Sequence, residues 1–270
     1  MKKILKKIFK SLSLNLSNKN VWQMVFLYLR WYGHDRYKIV KDVNVLDFKI
    51  DVPDIASFLG QFRELFVDDN YKFTSGSNEP LIYDCGANIG LSCLYFKKLY
   101  PKAKIIAFEA DKNIADILSK NLKKNSIEDV VVCDSAVWIH DSGIEFSVEG
   151  SDGGSIQGSG EKIKVPSLRL KSFLEKSNIE IDLLKIDIEG AEYEVIKDCE
   201  QSLNNVRNIF LEYHSWNSSP QKLSEILAVL EKNNFRYFIN TVCGRSQPFI
   251  NKGEDQNMDL QLNIFANKRN

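Results

Sequence analysis

The chain has 270 residues, enough to bury a sizeable core as one large domain or as one domain with an appendage. Its 36 Lys and Arg balance 36 Asp and Glu, which excludes a global field drawing it to nucleic acid or to an anionic membrane; any such attraction must be local. Five cysteines form no CxxC pair and leave one over after any pairing, which fits reduced thiols in a cytoplasmic setting rather than a disulfide framework.

In the opening MKKILKKIFKSLSL, Lys6, Lys7 and Lys10 interrupt every apolar run, so the core of a cleaved signal does not form. Ile4, Leu5, Ile8, Phe9 and Leu12 recur at helical spacing with the lysines on the other face. Two readings stand: a basic amphipathic helix lying on the anionic inner face of a membrane, or an ordinary helix, frayed or docked on a core. VWQMVFLYLRWY, Val21 to Tyr32, is shorter than the roughly 20 residues a bilayer needs and predicts a packed helix. Residues 1 to about 75 are expected to form a helical appendage, and residues 76–270 the main domain.

From Leu81 onward short apolar runs alternate with longer amphipathic stretches, the pattern of βαβ units feeding a parallel sheet. LIYDCG predicts the first strand and LSCLYFKKLY its helix, stopped by Pro101; AKIIAFEAD the second strand and KNIADILSKNLKKN its helix. DVVVCDSAV is a third strand. GIEFSV and EKIKVPSL then flank EGSDGGSIQGSG, whose serines and glycines predict a flexible loop between hairpin strands, long enough to act as a lid. LRLKSFLEKSN predicts a helix, IDLLKIDIEG the fourth strand, AEYEVIKDCEQSL a helix and VRNIFLEYH the fifth strand. SPQKLSEILAVLEKNN is a helix begun by Ser219 with Pro220 in its first turn, FRYFIN the sixth strand and LQLNIFANK the last. The series argues for an open, mostly parallel α/β sheet, without internal repeats or a membrane span.

Ligands of such sheets bind beyond the carboxyl ends of the strands, where this chain places Asp84, Glu109, Asp134, Asp187, Glu189, Glu212 and His214. A single acid there reads equally as a helix N-cap. Converging carboxylates repel, so together they ask for a cation, hydroxyl donors or a metal. The first turn has Gly86 for close backbone approach to a ligand and Gly90 for tight packing of helix on strand. It lacks the GxGxxG of a dinucleotide site: Asn88 stands at the middle glycine, and Asp84 puts negative charge where a phosphate would suffer. Glu109, at the end of the second strand, suits the two hydroxyls of a ribose. The implied ligand is a nucleoside with positive charge and no phosphate, a description that S-adenosylmethionine meets.

YDCGANIGLSCL, AFEAD, DSAVWIHDSGIEF, LLKIDIEGAEYEVI and IFLEYH, in that order, resemble the FkbM-type S-adenosylmethionine-dependent methyltransferases from about Tyr71 to the C-terminus. The resemblance implies a Rossmann-like class I methyltransferase fold, a seven-stranded sheet of order 3-2-1-4-5-7-6 with its last strand antiparallel. It implies O-methylation of a sugar, glycan or natural product. Carried over, Asp84, Gly86, Ala87, Asn88 and Gly90 would surround the methionine part of the cofactor. Glu109, with Ala110 beside it, would hold the ribose, and Asp134, Ser135 and Ala136 would lie near adenine. Asp134 reads equally as a solvated turn residue. Cys85 departs from the family's commoner small or β-branched residue and reads as a buried hydrophobe.

Methyl transfer to oxygen needs the acceptor positioned and its proton removed; positioning is worth ~7–11 kcal/mol, and a general base about 10²- to 10⁴-fold. His214 is the expected base, with Asp187 or Glu212 orienting its imidazole or the acceptor hydroxyl. The rival within this reading is a Mg²⁺ ion on Asp187, Glu189 and Glu212. Outside it stand a non-catalytic membrane-associated scaffold with the same fold and a nicotinamide oxidoreductase, which the glycine pattern disfavours. Nucleic acid is not an expected partner, for lack of a basic patch interleaved with aromatics. Oligomeric state is not readable from the sequence.

Overall fold

The computed structural model describes residues 18–147, 162–242, 244–251 and 258–268. The basic N-terminal segment and the Ser/Gly-rich EGSDGGSIQGSG loop lie outside the described residues. The chain divides into two compact units between Lys72 and Phe73.

The first unit contains helix α1 (Lys19–Arg30), strands β1 (Val40–Val45) and β2 (Phe48–Val52), helix α2 (Ile55–Phe62) and a π-helical turn (Arg63–Val67). The expected packed helix is α1, capped by Asn18 and burying Val21, Met24, Val25 and Leu27. The unit is not helical throughout. Alternation of Val43, Val45, Ile50 and Val52 puts alternate side chains on one buried face and makes an antiparallel hairpin, turned where Leu46 takes a positive φ. Among the described residues no helix is long and apolar enough to cross a membrane.

The second unit follows the predicted alternation. Its elements are β3 (Leu81–Cys85), α3 (Leu91–Leu99), β4 (Lys104–Phe108), α4 (Lys112–Lys124) and β5 (Val130–Cys133). Three short strands follow, β6 (Ala136–Trp138), β7 (Ile144–Ser147) and β8 (Lys162–Val165), then β9 (Ser167–Arg169) and α5 (Leu170–Lys176). The remainder is β10 (Ile181–Ile186), α6 (Glu192–Asp198), β11 (Val206–Trp216), α7 (Leu223–Lys232), β12 (Phe235–Thr241) and β13 (Met258–Lys268). The seven-stranded sheet runs β5-β4-β3-β10-β11-β13-β12, that is third, second, first, fourth, fifth, seventh and sixth of its strands in chain order. The last strand is antiparallel to both neighbours.

DVVVCDSAV divides at Asp134: β5 stays in the main sheet, and β6 leaves it to pair with β9. The hairpin expected around the Ser/Gly loop is β7 against β8. Helix α7 starts three residues later than Pro220 would set it, because the Lys222 amide donates to the Tyr213 hydroxyl and the chain up to it stays non-helical.

Strands β3 and β10 are buried along their whole length, as central parallel strands are. Tyr83, Cys85, Leu184, Ile186, Leu211, Val195, Ile196 and Leu230 pack into one apolar cluster. Each fully buried aliphatic side chain contributes roughly 1.5–3 kcal/mol. Register then decides which polar residues meet. Lys185 lies opposite Asp84, and Gln261 of β13 lies opposite His214.

Candidate active site

The chain leaves β3 at Cys85 and turns over the end of β4, where the Gly86 and Ala87 amides both donate to the Phe108 carbonyl at 3.0 and 2.9 Å. Gly86, Asn88 and Gly90 all take the left-handed conformation, with φ of 86°, 49° and 85°. Glycine adopts it freely and asparagine better than most side chains. Gly86 has a steric reason of its own: a Cβ there would sit 1.8 Å from the Asp187 carbonyl oxygen. The turn and the end of β10 touch backbone to backbone. At Gly90 the neighbour is Leu118 of α4, 3.2 Å from a built Cβ, so the close packing is between helices and not of helix on strand.

Glu109 ties this turn to β4. Its two carboxylate oxygens accept the amides of Asp111 and Asn88, each at 2.9 Å. Burial pushes its carboxyl up to about 7, against the lowering effect of those two amides. Each oxygen keeps a further lone pair for a hydroxyl donor. Asp134 is exposed and pairs with Lys112 at 3.0 Å, an interaction that lowers its carboxyl below the usual range. Ser135 and Ala136 are buried beside it.

Below the turn lies a charged residue that the strand pattern hid. Lys185 is 2% exposed; its Nζ donates to the Gly86 carbonyl at 2.8 Å and lies 3.3 Å from both Asp84 Oδ1 and Asp187 Oδ2. Burial opposes its charge, but Asp187 and Asp84 outweigh burial and hold the ammonium well above its usual range. Asp84 is fully buried, and its other oxygen accepts Ser92 Oγ at 2.5 Å. It therefore braces the turn from beneath through Lys185.

At the ends of β10 and β11, Asp187, Glu212 and His214 come together: one ligand atom from each lies within 4.8 Å of the others. Glu212 and His214 share a face of β11, as the i, i+2 spacing predicts. Gly190, with φ of 99°, makes the sharp turn expected after Glu189. The carboxylate that orients the imidazole is neither Asp187 nor Glu212. His214 Nδ1 lies 3.0 Å from Glu192 Oε1, with both side chains 1% exposed, and that carboxylate also accepts the Ile188 and Gly190 amides. Burial disfavours a charged imidazole, yet Glu192, Glu189 and Asp187 prevail and hold His214 well above its usual range. Nε2 faces the other way, 3.5 Å from Glu189 Oε2 and 3.6 Å from Glu212 Oε1. Gln261 Nε2 donates to Glu212 and lies 3.4 Å from His214 Nε2.

Three functional candidates were thus not found from sequence. Lys185 carried a signal, a cation within the apolar run LLKI. Glu192 offers no signal beyond that of any first-turn acid of a helix. Gln261 carried none, since only strand register brings it to His214.

A sheet in this order, crested by acids and a glycine turn, has the architecture of a class I methyltransferase. The chain belongs to the FkbM methyltransferase family, whose domain model matches residues 84–237. Methyltransferase sdnD of Sordaria araneosa is similar, 31% identical over 64% of this chain and 80% of its own length. So is the 2-O-methyltransferase NoeI of Sinorhizobium fredii, 28% identical over 50% of this chain and 63% of its own. Among solved structures, the methyltransferase FkbM of Methylobacillus flagellatus is 12% identical, with a TM-score of 0.46, covering 91% of this chain and 59% of that one.

Proposed function

We propose that the protein transfers a methyl group from S-adenosylmethionine to a hydroxyl of a small sugar, glycan or natural-product acceptor. The observation that carries this reading is the Glu109 clamp: a carboxylate fixed by two backbone amides at the end of the second strand, one of them from Asn88 of the glycine turn. A fixed carboxylate acceptor at that place suits ribose hydroxyls and would repel a pyrophosphate. Gly86, Ala87, Asn88 and Gly90 would flank the amino-acid part of the cofactor, with Asp84 bracing them from below. Glu109 and Ala110 would take the ribose, and Ser135, Ala136 and Asp134 the adenine. The cofactor supplies an electrophilic methyl group on a good leaving group. The chain's own part is to align the acceptor oxygen at Asp187, Glu212 and His214 and to take up its proton on a carboxylate there, His214 being held in its charged form. A cavity of about 160 Å³ beside His214, lined in part by Tyr193, Tyr213, Trp216 and Lys222, is the acceptor's place in this reading. The name of the relative NoeI supports oxygen as the methylated atom.

Thermal unfolding tests the cofactor. S-adenosylmethionine or its demethylated product at 100 times its dissociation constant should stabilise the protein by ~2.7 kcal/mol, and NAD should not. A shift with NAD alone overturns the reading, and Glu109→Ala should abolish the shift with the demethylated product. A pH series sharpens the ribose assignment. Hydroxyl donors favour ionised Glu109, which predominates only above about pH 7. Calorimetric affinity for the demethylated product should therefore weaken on going below that pH, by up to about tenfold per unit, and Glu109→Gln should be flat.

A further inference from the structure

We infer that helix α1 docks on an anionic lipid surface, laying the face formed by Trp22, Phe26 and Leu29 against the bilayer. The inference does not depend on the methyl-transfer reading.

Helix α1 is apolar on two opposite sides, and the first unit packs only one of them. Val21, Met24, Val25 and Leu27 are buried, and Asn20 Nδ2 donates to the Phe66 carbonyl at 2.6 Å, which fixes the helix on the π-helical turn. On the other side Trp22, Phe26 and Leu29, spaced four and three apart, form one row at about 3.6 residues per turn. They are 53%, 58% and 48% exposed, and Tyr32, in the turn just past the helix, is 71% exposed. A helix with one face in a core ordinarily turns polar residues to solvent on the other. Three large apolar side chains in a row make a patch, and such a patch marks a surface that meets a partner.

Charge identifies the partner. From Met1 to His34 the sequence has seven Lys and Arg and no Asp or Glu, although the chain as a whole is neutral. Lys19 and Arg30, at the two ends of α1, are exposed and lie on the same flank of the apolar row. The sequence leading into α1 repeats the combination, with Ile4, Leu5, Ile8, Phe9 and Leu12 at helical spacing among five lysines. An apolar face bordered by cations, with tryptophan and tyrosine at its edges, suits the boundary between headgroups and acyl chains. Each cation near an anionic leaflet strengthens binding roughly fivefold. A second copy of the chain would instead set these cations against themselves with no acid in the segment to answer them, so charge opposes self-association through this face. Among the described residues no helix is long and apolar enough to cross a membrane, so α1 lies on the bilayer and does not span it.

Sedimentation of the full-length protein with phosphatidylglycerol vesicles tests this. Binding should be at least about tenfold weaker to phosphatidylcholine vesicles. Raising salt from about 0.1 M to about 1 M, which shortens the screening length from about 10 Å to about 3 Å, should weaken it about tenfold or more. Phe26→Ser combined with Leu29→Ser should also weaken it about tenfold or more, while the unfolding midpoint stays near that of wild type because both side chains are exposed. Phe26→Trp should bind at least as well as wild type. Lipids brominated near the headgroup should quench tryptophan fluorescence, and quench it less in Trp22→Phe. Failure of wild type to bind phosphatidylglycerol, or binding that the double variant leaves unchanged, refutes the surface. A double variant that unfolds at a markedly lower temperature shows that the row is packed within the chain, and one that dissociates a dimer in sedimentation velocity shows that it faces a second copy; either result overturns the lipid assignment.

Discussion

Lys185→Met is expected to destabilise the protein by about 3–5 kcal/mol, a large part of the 5–15 kcal/mol that typically holds a domain together. The size follows from burial on both sides of the pair. Asp84 is fully buried and Lys185 only 2% exposed, so removal of the ammonium leaves a carboxylate in the middle of the sheet with no counter-charge. Methionine fills the aliphatic volume of the lysine stem, so little of the loss would come from a cavity. The effect also reaches the site. Lys185 holds the Gly86 carbonyl and the Asp187 carboxylate, and without it the turn and the acid should both move. Denaturant unfolding gives the stability change. The double variant with Asp84→Asn should recover at least half of it, because the amide no longer needs a cation and can still meet Ser92. A single variant within ~1 kcal/mol of wild type would show that the pair is solvated in solution and that the buried-charge account is wrong.

Gly86→Ala should cost about 3 kcal/mol or more. Two contributions add: a left-handed backbone for a residue with a side chain, about 1–2 kcal/mol, and overpacking, about 1–3 kcal/mol. The second is at the high end because the atom met at 1.8 Å is a backbone carbonyl of Asp187, which cannot rotate away. Two other glycines separate the contributions. At Gly33, φ is +76° and a Cβ meets nothing within 4 Å, so Gly33→Ala should cost only the conformational part. At Gly90, the neighbour is the flexible tip of Leu118 at 3.2 Å, so the cost should lie between. Unfolding midpoints for the three alanine variants should rank Gly33, Gly90, Gly86 from mildest to most severe, and equal losses at Gly33 and Gly86 would falsify the steric account.

How much was legible follows from what kind of information each residue carries. The strands and helices of the second unit announce themselves through local apolar periodicity, and the acids at their ends through position. LIYDCG and VRNIFLEYH appear as strands β3 and β11 within two residues, while AKIIAFEAD and IDLLKIDIEG overrun β4 and β10 by three and four residues, into the turns that follow those strands. The hairpin in the first unit was missed because β1 and β2 are short and their alternation was overshadowed by the helical pattern before them. The start of α7 moved because the hydroxyl of Tyr213, nine residues earlier on β11, takes an amide of its expected first turn.

At the site the division is sharper. By itself the sequence determined that carboxylates gather at the carboxyl ends of parallel strands and that His214 shares a strand face with Glu212. These are matters of residue type and short-range spacing. Only the tertiary structure decided what each group faces. It put Lys185 against Asp84 across two strands 101 positions apart, Glu192 behind His214, Gln261 beside it from the last strand, and the Asp187 carbonyl against Gly86. The physical reason is that hydrogen bonds, ion pairs and close contacts act over a few ångströms, while the register that brings their partners together is set by burial of whole strands and leaves no local mark in the chain.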